Sequence, residues 1–175
     1  MMKNKKWLKE ILEIVAAFVA AWVFYQLLAL AAHTSTPIVS VASLSMFHNQ
    51  HFDDWWNQKL AYYESIGIDK GKFSKFAAKN GLNKGDILFI VRDEKLEVGD
   101  IIVYHPQSGC FSIDETIVHR VIKAEGGALV TKGDNNPAQD KCTVQMSQIE
   151  GKTVLAVPLL GYPRLWLEEI LVRLR

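Results

Sequence analysis

The chain has 175 residues, a length that suits one domain of ordinary size with room for a terminal appendage. Its 20 Lys and Arg against 19 Asp and Glu leave a formal net charge of +1, without the strongly basic balance that nucleic-acid binding calls for, so no nucleic-acid partner is expected. The charge is unevenly placed, and the first segment shows how.

Lys3, Lys5, Lys6 and Lys9 precede the run Ile14 to Ala32, which carries no charged residue and only Gln26 as a strongly polar one. At ~1.5 Å per residue that run approaches the ~30 Å hydrocarbon thickness of a bilayer, and predicts a spanning helix. The competing reading is a cleavable signal peptide with Ala29-Leu30-Ala31 as its small-x-small site, but a signal h-region is usually ~7 to 15 residues, shorter than this run. Lysines on one flank, and none on the other until Lys59, place the N-terminus in the cytoplasm. Residues 1–33 are therefore expected to form a single-pass anchor in the cell membrane, with the lipid bilayer as partner, and the remainder to be extracytoplasmic.

Beyond the anchor, Ile38 to Ala42, Asp86 to Arg92, Ile101 to Tyr104, Thr116 to Ala124, Ala128 to Thr131 and Lys152 to Val157 are short apolar or β-branched runs bounded by Gly, Pro or Asp. Glu125-Gly126-Gly127 between two of them signals a hairpin. Residues 34–162 thus read as a small, mainly β domain. Residues 47–82 break the pattern. Asp53 or Asp54 can cap a helix carrying Trp55, Trp56, Leu60, Tyr63 and Ile66 on or near one side, and Lys72 to Lys79 is a second helical stretch with Phe73 and Phe76 three apart and Gly81 as its stop. The tail, 163–175, is too short to span; Trp166, Leu167, Ile170, Leu171 and Leu174 form one helical stripe, with Arg164, Glu168, Glu169, Arg173 and Arg175 outside it. Such an amphipathic helix lies either in the membrane surface or against the rest of the protein.

Chemistry concentrates in three segments. Ser43-Leu44-Ser45-Met46-Phe47-His48 follows the anchor, Val118-His119-Arg120-Val121 lies in a strand, and Lys132-Gly133-Asp134-Asn135-Asn136 is followed by a second carboxylate, Asp140. In order they supply Ser, His and Asp, the groups that activate a hydroxyl for attack on a carbonyl. Together with Asn83-Lys84-Gly85-Asp86-Ile87-Leu88-Phe89-Ile90 and Val98-Gly99-Asp100-Ile101-Ile102-Val103-Tyr104, this pattern resembles the type I signal peptidases of the archaeal and endoplasmic-reticulum branch, from the apolar segment to about Trp166. Leu44 stands where that family has Gly and His48 where it has Pro. The bacterial branch has a Lys base where this chain has His119; an amine must be desolvated to be neutral at pH 7, whereas an imidazole accepts a proton readily there.

The resemblance implies a serine endopeptidase that removes signal peptides from preproteins, with no cofactor. Ser45 is its nucleophile, His119 its base and Asp140 the orienting carboxylate, with Asp134 as rival for that role or as a supporting or turn residue; Ser43 is an oxyanion donor or a plain loop residue. Relatives prefer small side chains one and three residues before the cut, which points to shallow pockets lined by Ile38, Val39, Val41 and Val103. The protein translocation channel is a further expected partner. Relative to the family, 47–82 is a helical insertion beside the active site, serving as added core or as a lid, membrane contact or partner dock. If His119 and Asp140 meet, their near neighbours Cys110 and Cys142 meet too; a disulfide there and two free thiols are the alternatives, and an external domain permits the bridge.

Other readings are weaker. His48-x-x-His51 with Asp53 has the look of a metal site, but no fourth ligand follows at a familiar spacing, so no metal is expected. His48 is also a competing base, while His105 reads as a strand-end residue and His33 as marking the outer membrane boundary. A catalytically silent membrane-anchored β subunit or substrate binder is opposed by the intact Ser-His-Asp set. A regulatory peptidase of Ser-Lys type is opposed by His119 and by the anchor.

Overall fold

The computed structural model describes residues 3–111 and 116–173, with the side chains of 3–5, 164, 165, 168, 169, 172 and 173 excepted. Lys3, Lys5, Arg164, Glu168, Glu169, Arg173, Leu174 and Arg175, invoked above for charge or helical pattern, therefore lie outside the described side chains. Helix α1 runs Lys3–Ala32. Its segment Lys6–Ala32 is long and apolar enough to cross a membrane and is exposed over most of its length, with Phe18, Trp22 and Phe24 turned outward; at its end Ala32 is buried, and its carbonyl accepts from the Arg92 N–H at 2.9 Å. The chain then enters strand β1 (Ile38–Ser40), helices α2 (Phe52–Ser65) and α3 (Lys70–Phe73), and strands β2 (Ile87–Val91), β3 (Ile101–Tyr104), β4 (Ile117–Glu125), β5 (Ala128–Lys132), β6 (Val144–Gln145) and β7 (Ile149–Val157), before helix α4 (Tyr162–Arg173).

All seven strands form one antiparallel sheet in the order β1-β2-β7-β3-β4-β5-β6. The β4–β5 hairpin pairs Glu125 with Ala128 across Gly126 and Gly127, both in the left-handed region (φ 56° and 85°) that this tight turn requires. Two Gly-Asp turns open β2 and β3 alike: Asp86 accepts from the Asn83 N–H (2.8 Å) and Asp100 from the Glu97 N–H (2.9 Å). Strand β3 is buried on both faces, its alternate residues feeding two cores. Ile101 and Val103 join Val41, Met46, Leu82, Leu88 and Ile90 beneath the segment after β1. Ile102 and Tyr104 join Val121, Leu129, Val144 and Ile149 on the other side.

The 47–82 excursion packs as a third, aromatic core of Trp55, Trp56, Tyr63, Ile68 and Phe73 against Ile122 of β4. Its helices differ from the expected ones. Helix α2 begins at Phe52 with His51 at its N-cap and no side-chain cap, because Asp53 and Asp54 lie inside the first turn, where acidic groups suit the helix dipole, and Asp53 pairs with Lys70 at 2.9 Å. Leu60 and Ile66 are exposed, leaving Trp55, Trp56 and Tyr63 as its buried side. The second helix is the short Lys70–Phe73, capped by Asp69 accepting from the Lys72 N–H at 2.8 Å, and Lys75 to Asn80 continues as turns. The expected last strand starts three residues earlier, at Ile149, and the two-residue β6 had no signal of its own.

Candidate active site

β1 is the sheet's first strand, yet β1 and the start of β4 line one cleft of about 510 Å³, because the sheet curls through β2, β7 and β3 to bring them face to face. Ser45 and Ser43 line it from the segment after β1, and His119 from β4.

His119 pairs with Ile102 and lies on the same face of the sheet as Tyr104 and Val121. Its Nδ1 is 2.6 Å from Asp140 Oδ2. That same oxygen accepts from Thr131 Oγ1 (2.7 Å) and Tyr104 Oη (3.1 Å), and the Asp140 N–H donates to the Thr131 carbonyl at 2.8 Å. Since a carboxylate only accepts, Nδ1 carries the proton, and Nε2 is left as a lone pair. Gly133 shows how close the parts are: a Cβ there would lie 2.8 Å from His119 Nε2 and 2.7 Å from the Ser45 carbonyl oxygen. Only glycine fits between His119 and Ser45.

The Ser45 segment is held mainly through its backbone. Asn135 N–H donates to the Ser45 carbonyl (2.8 Å) and its side chain to the Leu44 carbonyl (3.1 Å), while Leu82 N–H donates to the Met46 carbonyl (2.8 Å). The Ser45 hydroxyl shares a hydrogen bond with Ser43 Oγ at 3.0 Å, and the Ser45 N–H reaches the same atom at 3.5 Å. Ser43 is exposed and Ser45 partly so.

Asp134 is elsewhere. Wholly buried, it accepts from Arg120 Nε (2.9 Å) and Nη2 (2.7 Å), from Tyr63 Oη (3.3 Å) and, through Oδ2, from His48 Nε2 (3.1 Å). Burial works against its charge, but the Arg120 guanidinium and the His48 hydrogen bond outweigh it and hold the carboxyl well below the usual carboxylate range. The structure thus brings together His119 and Asp140, and places Asp134 in a separate buried pair.

No protein-family model matches the chain. Among characterised proteins it is similar to the signal peptidase complex catalytic subunit SEC11 of Saccharomyces cerevisiae strains YJM789, RM11-1a and JAY291, each 29% identical over 176 aligned residues that cover 93% of this chain and 84% of the relative. The chain is homologous to SEC11.

In this SEC11 homologue Ile38, Val39 and Val41 line the cleft, together with Thr116, Ile117 and Val118 from the opposite wall. Val103 does not line it. It is fully buried in the core, as one residue of a strand that has side chains packed on both faces. At the far end of the cleft Glu150 accepts from His105 Nε2 (3.0 Å) and Thr36 Oγ1 (3.1 Å), a pair that a strand-end assignment for His105 does not anticipate. Cys110 and Cys142 form a disulfide that ties the segment after β3 to the segment carrying Asp140. His48 turns inward to Asp134, whereas Asp53 pairs with Lys70, so the His48-x-x-His51 pattern does not converge; among the described residues no group of three or more His, Cys, Asp or Glu is placed to hold a metal.

Sequence reasoning missed Arg120, Tyr104, Thr131 and Tyr63. Arg120 is fully buried and also donates to the carbonyls of Ala77, Ala78 and Gly99. A signal existed in its position beside His119 in a strand: a charged residue in a β-branched run bounded by buried positions needs a partner.

Proposed function

We propose that this chain is a membrane-anchored serine endopeptidase that removes signal peptides from exported preproteins, with Ser45 as nucleophile, His119 as base, Asp140 as orienting carboxylate and Asp134 as a supporting carboxylate. The observation that carries the reading is the 2.6 Å contact between His119 Nδ1 and Asp140, made in a cleft that Ser45 also lines. The Ser45 hydroxyl turns from Ser43 to His119 Nε2, loses its proton there and attacks the scissile carbonyl. His119 returns that proton to the leaving amine, and Asp140 stabilises the imidazolium in between. Water then repeats the sequence on the acyl-enzyme and frees Ser45. The Ser43 hydroxyl and the Ser45 N–H are the donors for the oxyanion, a kind of contact whose loss costs ~10²- to 10³-fold in turnover.

The free edge of β1 accepts the substrate as an added strand, which places its alternate side chains against Ile38, Val39, Val41 and the facing Val118. Residues 1–33 anchor the chain in the cell membrane with the N-terminus cytoplasmic, 34–162 form the extracytoplasmic catalytic domain, and 163–175 an amphipathic tail. Placement at the outer end of the protein translocation channel suits a substrate that emerges there. The test is purified full-length protein in detergent with a preprotein: wild type cleaves at the end of the signal peptide, while Ser45→Ala and His119→Ala do not. Residual turnover above about a tenth in His119→Ala sinks the assignment of the base, since a hydroxyl without its base is a poor nucleophile at neutral pH.

A further inference from the structure

His48 follows Ser45 by three residues and takes no part in the chemistry proposed above, yet its side chain is wholly buried. Its ring stacks on Trp55 of α2, with centroids 3.6 Å apart and planes 10° from parallel, and its Nε2 meets Asp134 Oδ2 at 3.1 Å. Because the carboxylate accepts, Nε2 carries the proton; Nδ1, buried and with no hydrogen-bond partner among the described residues, is left as a bare acceptor. Gly81, at φ +81°, closes over the ring, and a Cβ there would lie 2.6 Å from both His48 Cδ2 and the Met46 carbonyl.

Asp134 is the point where the parts of the site meet. Its backbone N–H points at Met46 Sδ (3.5 Å), its neighbour Gly133 is wedged between Ser45 and His119, and its neighbour Asn135 holds the Ser45 and Leu44 carbonyls. Its carboxylate binds Arg120, the residue next to the base, and Tyr63 of α2. Lys59 of α2 donates to the Asn135 carbonyl at 3.1 Å. Among the described residues, His48 is the side chain by which the Ser45 segment reaches this carboxylate.

We propose that His48 is a positioning residue for Ser45: by donating to Asp134 while stacked on Trp55, it couples the nucleophile segment to the base strand through the 47–82 helices and sets where the Ser45 hydroxyl lies relative to His119 Nε2. The excursion then has a role at the site, as the wall against which the nucleophile segment is braced. The inference rests on Ser45 and His119 being nucleophile and base.

The test uses full-length protein in detergent and two readouts, cleavage of a preprotein and the rate at which a small serine-directed phosphonate labels Ser45. His48→Phe keeps a ring to stack on Trp55 and removes the donor. Since a displacement of about 1 Å can cost ~10²-fold in rate, it is expected to slow labelling and kcat by ~10- to 100-fold, with KM and melting temperature little changed. His48→Gln, which keeps an N–H within reach of Asp134, is expected to recover most of that loss, and the nearly isosteric His48→Met is not; this pair gives the same comparison should His48→Phe fail to fold. In an Asp134→Asn background the effect of His48→Met is expected to shrink, because both changes act on one contact. His48→Met equal to His48→Gln in labelling rate, or losses that follow only the unfolded fraction, overturns the proposal. Wild-type labelling without preprotein cleavage refutes the signal-peptide reading and leaves the His48 comparison decided by labelling. Absence of labelling in the wild type overturns both.

Discussion

Asp140 Oδ2 collects hydrogen bonds from His119, Thr131 and Tyr104, three groups without fixed charge, whereas Asp134 faces the permanently charged Arg120. The two carboxylates should therefore fail differently. Asp140→Asn puts an N–H where His119 needs an acceptor; turnover is expected to fall by about 10⁴-fold, the size of a wrong-tautomer defect, with melting temperature nearly unchanged. Asp134→Asn leaves a buried guanidinium unpaired and is expected to cost about 3 to 5 kcal/mol of stability, read by denaturant unfolding. Because the folded-state pKa of Asp134 is depressed below its ordinary 3.8, the stability it contributes is present above that pH and is lost as pH falls toward the folded value, so the gap between wild type and Asp134→Asn should narrow in acid. Near-normal activity in Asp140→Asn with an inactive, stable Asp134→Asn would exchange the two roles. Lys132 carries a signature of the opposite kind. Burial pulls its pKa from 10.5 down to about 8 against the pull of Asp134 and Asp140, although its Nζ donates to the Gly133 and Asp134 carbonyls. Between those pH values the unfolded chain holds a proton that the folded chain does not, so stability attributable to Lys132 rises with pH across that window. Unfolding of Lys132→Met against wild type at pH 7 and pH 9.5 should show the wild type gaining relative to the variant; a constant difference would refute it.

At the level of elements, the site is assembled from segments that only pairing brings together. β7, the last strand, lies between β2 and β3, so the strands that flank β1, which leads to Ser45, and β4, which carries His119, are both completed by the C-terminal one. The Cys110–Cys142 bridge spans 32 residues, enclosing β4 and β5 and ending two residues past Asp140. Loop closure of that length is worth about 3 to 4 kcal/mol in the chain-entropy view. A Cys110→Ser, Cys142→Ser double variant is expected to lose stability of that order and to lower kcat more than it changes KM, since the freed segment carries Asp140. Unchanged kcat at a temperature where the variant is folded would confine the bridge to stability. Helices α2 and α3 do more than add core: they supply Trp55, Tyr63 and Lys59 to the residues around Asp134, and Phe73 lies beneath the Arg120 guanidinium at 4.9 Å.

For the whole molecule, the apolar surface of α1 is its dominant feature, and Leu159, Leu160, Trp166, Leu167, Ile170 and Leu171 near the C-terminus are exposed as well. With α1 as anchor, the protein should stay with membranes through high-salt and alkaline washes, and deletion of residues 1–33 should weaken that retention; wild type released by an alkaline wash would contradict a spanning helix. Much of this was legible in the sequence, because it depends on neighbours along the chain. The charge-free run is the long apolar helix α1, the β-branched runs with Gly and Asp punctuation are the strands, and Gly126-Gly127 is the hairpin turn. The residue types and order of Ser45, His119, Asp134 and Asp140 suggested the chemistry proposed above. What needed the tertiary structure was every choice made by distance between remote segments: which carboxylate meets His119, that Val103 is core and not cleft, that His48 faces inward, and that Arg120 beside His119 is balanced by Asp134. Local pattern can say that a side chain is buried or polar, but the partner that satisfies it is set by strand order and register across the fold.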